Sequence, residues 1–260
     1  MAKTKNRLII ASTTSTQNSG LFDILIPAYE KFSKYQAKVE VIAVGTGKAI
    51  RLAKKGEADV LFVHDPFREE KFVAEGYGVN RREVMYNEFA IVGPAKDPAK
   101  VKKARTVIEA FEEIAETGSL FVSRGDDSGT NIREIDLWDD AGLTPKGKSW
   151  YQEAGANMAD TLIAADRQGA YTLTDMGTFL KYEPKLNLKI LFKGDPLLLN
   201  YYSVMAVCPD KFPQANYLAA MEFIAFVTSL EGQKLIAGYK KHGTNLFYPD
   251  AIPSAVKGKK

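Results

Sequence analysis

The chain has 260 residues, of which 45% are hydrophobic and 26% charged, and its 35 basic and 32 acidic residues leave a net charge of +3. This composition is typical of a globular protein with one large or two modest domains. The charges are spread along the sequence, which argues against a nucleic-acid partner, whereas a mildly positive field favours a small anion. No apolar run approaches the roughly 18 residues needed to span a membrane.

The sequence offers little material for a disulfide or a zinc site. The single cysteine, Cys208, lies in the apolar run SVMAVCP, where we expect a small buried hydrophobic residue. The two histidines, His64 and His242, lie far apart and match no metal-binding spacing.

The N-terminal stretch MAKTKNRLII has basic residues before an apolar patch. That patch is too short for the core of a secretory signal and is followed at once by polar residues. If the protein is exported, we expect its signal peptide to have been removed from this chain.

The first third of the chain alternates strand and helix patterns. The strand-like runs RLIIAST, VEVIAVG and ADVLFVH are separated by helical stretches, the first of them at about residues 21–32. Strands that alternate with helices are typical of a parallel sheet covered on both faces.

A second α/β portion follows the run NEFAIVGP. It contains the strand-like run SLFVSR and a predicted helix at residues 128–141, and the tail of the chain offers helices at about 215–228 and 230–240. The runs NEFAIVGP and YYSVMAVCP are both long, apolar and ended by a proline, which stops strand pairing. We interpret them as the two connections between lobes.

Three polar loops follow predicted strands and precede predicted helices: STTSTQNSG from Ser12, GTGKA from Gly45 and SRGDDSGTN from Ser123. Ligands of open α/β sheets bind beyond the carboxyl ends of the strands. Small residues there let backbone N–H groups at helix starts point at an anion. Helix capping explains any one such loop equally well, but three in succession favour anion binding.

Two catalytic interpretations fail on the residues. The loop VGTGKAIR lacks the phosphate-loop pattern, because Ile42 and Ala49 stand where a glycine and a hydroxyl residue are required. Ser12 and Ser15 have no base beside them in the sequence, and we expect His64 to be a strand-end residue hydrogen-bonded to its own loop. The sequence therefore predicts a binding protein rather than an enzyme.

Arg124 is the most informative residue of the third loop. Its guanidinium combines a charge with a planar fork of donors that suits an oxyanion. The neighbouring Asp126 and Asp127 could cap the next helix, orient Arg124, or accept a hydrogen from a protonated ligand such as hydrogen phosphate.

Four segments, ASTTSTQNSGLFD at 11–23, GEADVLFVHDP at 56–66, SRGDDSGTN at 123–131 and AYTLTDMGTFL at 170–180, resemble the tungstate-binding proteins of tungstate ABC importers. The resemblance implies a type II periplasmic solute-binding fold: two α/β lobes, each a mostly parallel sheet flanked by helices, joined by two crossing hinge segments. It implies lobe I at residues 1–91 and 203–260, lobe II at 92–202, and a ligand cleft between them that closes like a hinge.

The same resemblance implies a set of ligand residues for the tungstate oxyanion. Carried over by position, these are Ser12, Thr13, Thr14, Ser15 and Thr46 in lobe I and Arg124, Ser128, Gly129 and Thr130 in lobe II, with Thr172 from a fourth strand-end loop and Asp126 and Asp127 behind them. It further implies no cofactor, no cation ligands, a membrane permease as partner, a monomer, and a periplasmic or extracytoplasmic location.

Two other anions and one other class of protein remain open. Phosphate would need Asp126 or Asp127 to face the ligand, whereas fully ionised tungstate would be repelled there. Molybdate has nearly the size and charge of tungstate. An oxyanion-sensing regulatory domain could use the same fold, although the sequence has no helix-turn-helix segment.

Overall fold

The computed structural model describes residues 6–241 and 243–252. His242, the N-terminal residues 1–5 and the basic C-terminus lie outside the described residues, and so do the expectations about them. The chain divides into two compact units. The first unit comprises the described residues up to Tyr86 and from Tyr201 onward, and the second unit is Asn87–Asn200.

The secondary structure alternates strands and helices along most of the chain. The strands are β1 (Arg7–Thr13), β2 (Lys38–Val44), β3 (Val60–Val63), β4 (Gly78–Gly93), β5 (Phe121–Ser123), β6 (Tyr151–Glu153), β7 (Thr172–Asp175), β8 (Lys189–Phe192), β9 (Leu199–Val207), β10 (Lys240–Lys241), β11 (Thr244–Asn245) and β12 (Tyr248–Pro249). The helices are α1 (Thr14–Ser19), α2 (Phe22–Phe32), α3 (Thr46–Lys54), α4 (Pro66–Ala74), α5 (Val107–Glu116), α6 (Gly129–Asp140), α7 (Met158–Gln168), α8 (Met176–Tyr182), α9 (Tyr217–Thr228) and α10 (Leu230–Gly238), with short 3₁₀ turns at Val101–Lys103, Glu183–Lys185 and Pro196–Leu198.

The first unit is built on strands in the order β12, β4, β9, β3, β1, β2. β1 pairs in parallel with β2 and β3, whereas β3 pairs antiparallel with β9. Apolar side chains such as Ile9, Leu61, Phe72 and Met205 fill the core between this sheet and its helices. Because β1, β2 and β3 are parallel, their carboxyl ends, and the helix starts that follow them, share one edge of the sheet.

The second unit has its own core and a different strand pattern. Trp138 packs edge to face against Phe111 and Phe121, with ring centroids 4.4 and 5.3 Å apart. β5 pairs in parallel with β6, but β7 and β8 pair antiparallel with β4. The predicted α/β fold is confirmed. The sheet of this unit is mostly parallel, as predicted, and β4 is the strand that runs opposite to β7 and β8 beside it.

Two neighbouring strands continue from one unit into the other. The boundary falls between Tyr86 and Asn87 in β4 and between Asn200 and Tyr201 in β9. At this point the side-chain amide of Asn200 donates a 2.8 Å hydrogen bond to the side-chain carbonyl of Asn87, and both residues are buried. The runs NEFAIVGP and YYSVMAVCP begin at Asn87 and Tyr201.

Four predicted helices, at 21–32, 128–141, 215–228 and 230–240, match α2, α6, α9 and α10 to within about two residues at each end, as is usual for element boundaries. The prediction that STTSTQNSG is entirely a loop is wrong, because it contains α1. Thr13 caps this helix by accepting a hydrogen bond from the backbone N–H of Thr16. Gly20 ends the helix with a left-handed φ of 87°.

Candidate functional site

A cluster of hydroxyl groups surrounds the start of α1. Thr13 Oγ1 lies 2.7 Å from Thr16 Oγ1 and 3.1 Å from Ser15 Oγ. Thr14 is exposed, whereas Ser12 is fully buried and donates a 2.7 Å hydrogen bond to the carbonyl of Phe62. The four hydroxyl residues predicted as ligands therefore differ in their surroundings. Ser12 donates its hydroxyl proton inside the sheet, whereas Thr13, Thr14 and Ser15 lie at the start of α1.

The start of α3 has the features of an anion site. Gly45 occupies the N-cap position, so no side chain there accepts the first N–H groups of the helix. Thr46 follows and is 2% exposed. A Cβ atom at Gly47 would lie 3.3 Å from Nη1 of Arg68 and 3.5 Å from Nη1 of Arg51. Two guanidinium groups that the sequence analysis did not single out therefore lie close to this helix start.

His64 lies at the carboxyl end of β3, beside Ser15. Its Nε2 is 3.4 Å from Ser15 Oγ, and its ring packs on Tyr202 with centroids 4.7 Å apart. The expectation that no base lies near Ser15 is therefore wrong, because the parallel pairing of β1 and β3 aligns their strand ends. The contact is still longer than the roughly 2.6 to 3.2 Å of an activated nucleophile.

A buried carboxylate fixes the turn after His64. Asp65 caps α4 by accepting from the N–H of Arg68 at 3.0 Å, and its own N–H donates to Oε1 of Glu69 at 2.8 Å. Glu69 is fully buried and its Oε2 accepts from Nε and Nη2 of Arg81 at 3.0 and 2.9 Å. Burial raises the pKa of Glu69 to about 7, although the charge of Arg81 opposes the shift.

Arg124 follows β5 in the second unit, and its side chain is only 11% exposed. Its Nη2 donates a 2.5 Å hydrogen bond to Oδ2 of Asp126, whose Oδ1 accepts from the N–H of Ser128 at 3.3 Å. Nε of Arg124 is buried and has no hydrogen-bond partner among the residues that the structure describes. A buried donor left unpaired costs about 1 to 3 kcal/mol, so this atom needs an acceptor.

The start of α6 adjoins Arg124 along the chain. Ser128 caps the helix by accepting from the N–H of Asn131 at 3.3 Å, and Thr130 in the first turn is buried. Asp127 adopts a left-handed φ of 55° and donates its N–H to Oδ1 of Asn131 at 3.1 Å. The capping interpretation therefore holds for Ser128, while Gly129 lies in the helix start itself.

The fourth predicted strand end, at Thr172, is wrong: the strand ends at Asp175. Thr172 is the first residue of β7 and is buried, with its hydroxyl directed to the carbonyl of Leu173. The carboxyl end of the strand is Asp175, which caps α8 through Thr178. Burial raises the pKa of Asp175, while its hydrogen bonds from Thr178 and the nearby charge of Arg124 oppose the shift. The aspartate before the helical run MGTFL was the signal that could have identified it.

Other site types have little support in the part of the chain that the structure describes. No group of three His, Cys, Asp or Glu residues there could hold a metal ion. None of its helices is both long and apolar enough to cross a bilayer. Cys208 is buried, as predicted.

Comparison with known proteins assigns the chain to a superfamily. The family model described as "PBP superfamily domain" matches residues 2–231. A protein from Peptoclostridium acidaminophilum named "Tungstate-binding protein TupA" is 45% identical, over 95% of this chain and 87% of its own length.

Two solved structures agree with that assignment. The tungstate-binding protein TupA from Desulfovibrio alaskensis G20 superposes with a TM-score of 0.87 at 41% identity, over 95% of this chain and 99% of that one. A tungstate ABC transporter structure from Geobacter sulfurreducens superposes with a TM-score of 0.82 at 50% identity, over 91% and 100% of the two chains. The chain therefore belongs to the family of these tungstate-binding proteins.

Proposed function

We propose that the protein binds tungstate and delivers it to the permease of an ABC importer. The identity of 45% to a named tungstate-binding protein over nearly the whole chain supports this anion. The strand-end hydroxyls, the helix starts and Arg124 supply the hydrogen-bond donors that a tetrahedral oxyanion needs.

The observation that carries the proposal is the buried Nε of Arg124. Nη2 of the same guanidinium is paired with Asp126, whereas Nε has no acceptor among the described residues. An oxyanion that accepts from Nε removes the cost of this unpaired donor and gains a charge-assisted hydrogen bond. A neutral acceptor would satisfy Nε without the charge assistance, and the guanidinium would repel a cation.

Hydroxyl and backbone groups complete the proposed set of donors. A hydroxyl that accepts an N–H, as Thr13 and Ser128 do, still has a proton of its own to donate. The helix starts at Thr46 and Gly129 add backbone N–H groups and a favourable dipole. The proposed ligand residues remain Ser12, Thr13, Thr14, Ser15, Thr46, Arg124, Ser128, Gly129 and Thr130, and Ser12 is expected to act through its backbone because its hydroxyl donates elsewhere. Thr172 leaves the proposed set, because it begins β7 rather than ending it.

Binding in this proposal is physical rather than chemical. The dianion loses its hydration shell, and each oxygen regains hydrogen bonds from protein donors. We propose that the anion favours one conformation by differential affinity, with β4 and β9, which both run from one unit into the other, as the hinge. The anion leaves unchanged, and no cofactor takes part.

The contacts of Asp126 help to distinguish tungstate from hydrogen phosphate as the ligand. Its two carboxylate oxygens accept from Arg124 and from the N–H of Ser128, which supports a role in orienting the arginine. Hydrogen phosphate would need a carboxylate that is available to accept its proton. In this proposal Asp126 therefore orients the arginine rather than accepting the proton of hydrogen phosphate, which favours tungstate. Molybdate, which has nearly the size and charge of tungstate, fits the same donors.

The proposed setting is outside the cytoplasm, with a monomeric binding protein that docks on a membrane permease. This setting follows from the function of a solute receptor. Cell fractionation tests the location, and co-purification with an ABC permease tests the partner. Recovery of the protein only from the cytosol would contradict the proposed setting.

Isothermal titration calorimetry of ligand-stripped protein against tungstate, molybdate, sulfate and phosphate in one buffer tests the function. We expect tight binding of one tungstate per chain and no signal for phosphate or sulfate. Tight phosphate binding with no tungstate signal would overturn the proposal and would mean that Asp126 or Asp127 faces the ligand.

A further inference from the structure

Glu134 is a buried carboxylate next to the arginine loop, and the proposed ligand set does not use it. It lies in the second turn of α6 and is 2% exposed. A carboxylate in such a position needs hydrogen bonds to offset the loss of water. Its Oε1 accepts from Nε1 of Trp138 at 3.1 Å and from the hydroxyl of Tyr151 at 2.8 Å. Its Oε2 accepts from Ser123 Oγ at 2.6 Å.

The bond from Ser123 determines how that hydroxyl is used. A serine hydroxyl has one proton to donate and two lone pairs to accept with. Because the proton of Ser123 goes to Glu134, both lone pairs remain for donors. They accept from the N–H of Gly125 at 3.2 Å and from the side-chain amide of Asn131 at 3.2 Å. Every hydrogen-bonding position of this buried hydroxyl is therefore occupied.

Gly125 and Asn131, the two donors to Ser123, fix the loop on the C-terminal side of Arg124. Gly125 follows the arginine directly and has a left-handed φ of 58°. A Cβ atom at Gly125 would lie 2.8 Å from Cβ of Glu153, so the backbone passes close to β6 at this point. Asn131 in turn accepts the N–H of Asp127 and donates its own N–H to the cap residue Ser128. Arg124 thus lies between Ser123 and Gly125, which are joined by a hydrogen bond to the Ser123 hydroxyl.

We propose that Glu134 is a positioning residue of the anion site, which aligns the Ser123 hydroxyl and thereby places Gly125 and the guanidinium of Arg124. The inference rests on the proposed function, since it concerns the affinity of the same site. Both lone pairs of the Ser123 hydroxyl are available to Gly125 and Asn131 only if the atom in the place of Oε2 accepts the Ser123 proton. A side chain that donates toward Ser123 competes with Gly125 and Asn131.

The structure offers variants that separate positioning from stability. Glu134→Gln keeps the shape of the side chain but replaces one accepting oxygen with a donor. Trp138→Phe removes a hydrogen bond to the other oxygen of the same carboxylate and leaves the Ser123 bond in place. A purely structural role for Glu134 predicts that both variants lower the melting temperature and leave tungstate affinity unchanged.

The test is calorimetry with sodium tungstate, together with thermal melts, at about pH 8.5, where Glu134 is ionised because burial raises its pKa only to about 7. We expect Glu134→Gln to raise the Kd at least about tenfold and Trp138→Phe to leave it within about twofold while still lowering the melting temperature. Ser123→Ala should weaken binding similarly. The double variant Glu134→Gln/Ser123→Ala should bind no more weakly than the weaker single variant, since both remove one linkage.

The outcomes separate the two proposals. Wild-type affinity in Glu134→Gln, or fully additive losses in the double variant, overturns the positioning role while tungstate binding by the wild type still stands. Absence of tungstate binding by the wild type overturns both. Should Glu134→Gln lose its cooperative melt, Ser123→Ala decides alone, because it retains Glu134 with its bonds from Trp138 and Tyr151, and unchanged affinity in that variant refutes the role.

Discussion

Nη2 of Arg124 donates a 2.5 Å hydrogen bond to Oδ2 of Asp126, two residues further along the same loop. The guanidinium that we propose as the main cationic ligand is therefore oriented by a carboxylate before any anion binds. Asp126 also accepts the N–H of Ser128, so one side chain links the arginine to the start of α6. Orientation of this kind lowers the entropy that the arginine loses on binding an anion.

Replacing Arg124 should cost more affinity than any other single change in the loop. Arg124→Ala removes a charge-assisted hydrogen bond to the anion and should raise the tungstate Kd roughly tenfold to a hundredfold or more. Arg124→Lys keeps the charge but loses the planar fork, so we expect an intermediate loss. Arg105→Ala is the control, because this arginine lies in the same unit with a side chain that is 88% exposed. Wild-type affinity in Arg124→Ala, measured by calorimetry, would show that the site lies elsewhere.

Asp126→Asn tests whether Asp126 orients the arginine or faces the ligand. Asparagine can still accept one hydrogen bond, but the charge assistance to Arg124 is lost, so we expect a roughly three- to tenfold weaker tungstate Kd. The exposed Asp140 provides a control of equal charge change in Asp140→Asn. Tighter tungstate binding in Asp126→Asn, accompanied by a loss of phosphate binding, would instead identify Asp126 as an acceptor that contacts the anion.

Thr46→Val tests the helix start of the first unit. Valine keeps the shape of this buried residue and removes its hydroxyl, whereas Thr46→Ser keeps the hydroxyl. We expect the valine variant to bind tungstate about three- to tenfold more weakly and the serine variant to restore most of the affinity. The stoichiometry should stay at one in all variants. An unchanged Kd in Thr46→Val would contradict the proposed role of Thr46 as a ligand residue.

Local sequence was sufficient for some parts of the site. The alternation of strands and helices predicted the α/β fold, and the SRGDDSGTN loop predicted Ser128 as a helix-start residue because hydroxyl residues before a helical pattern are its usual caps. Thr172 was misplaced because a strand boundary cannot be fixed from its apolar residues alone. The strand ends three residues later than predicted, and the next helix begins after its cap residue Asp175.

The contacts that sequence could not predict are those between distant elements. Ser15 meets His64 because β1 and β3 are neighbours in register. Gly47 lies near Arg68 although α3 and α4 follow β2 and β3, which lie on opposite sides of β1. Nothing local to Glu134 indicates that its carboxylate accepts from Ser123 and from Tyr151 on β6. Such contacts depend on how elements pack, and periodicity within one element carries no information about them.

Each unit uses a buried glutamate to fix the turn after a strand. Glu69 accepts the N–H of Asp65 just beyond β3, and Glu134 accepts the hydroxyl of Ser123 at the end of β5. In both cases the glutamate lies in the helix that follows, so it connects the strand end to its own helix. Burial raises the pKa of both carboxyls to about 7.

The pH dependence of folding stability follows from this shift. The pKa of Glu69 is about 7 in the folded protein, against an ordinary value of 4.5. Between these values the folded state holds a proton that the unfolded state has lost, so the free energy of unfolding falls as pH rises through the window and levels off above it. The contribution of one such group is at most about 3 kcal/mol.

Glu69→Gln should flatten this dependence, because glutamine does not titrate. Urea denaturation between about pH 5 and pH 8 measures the slope, and we expect the wild type to lose stability with rising pH more steeply than the variant. Glu83→Gln is the matched control, since Glu83 also lies near Arg81 but has a side chain that is 55% exposed. Its slope should equal that of the wild type. If Glu69→Gln kept the wild-type slope, or if the wild type became more stable toward pH 8, then Glu69 would be ionised throughout the range and Arg81 would outweigh its burial.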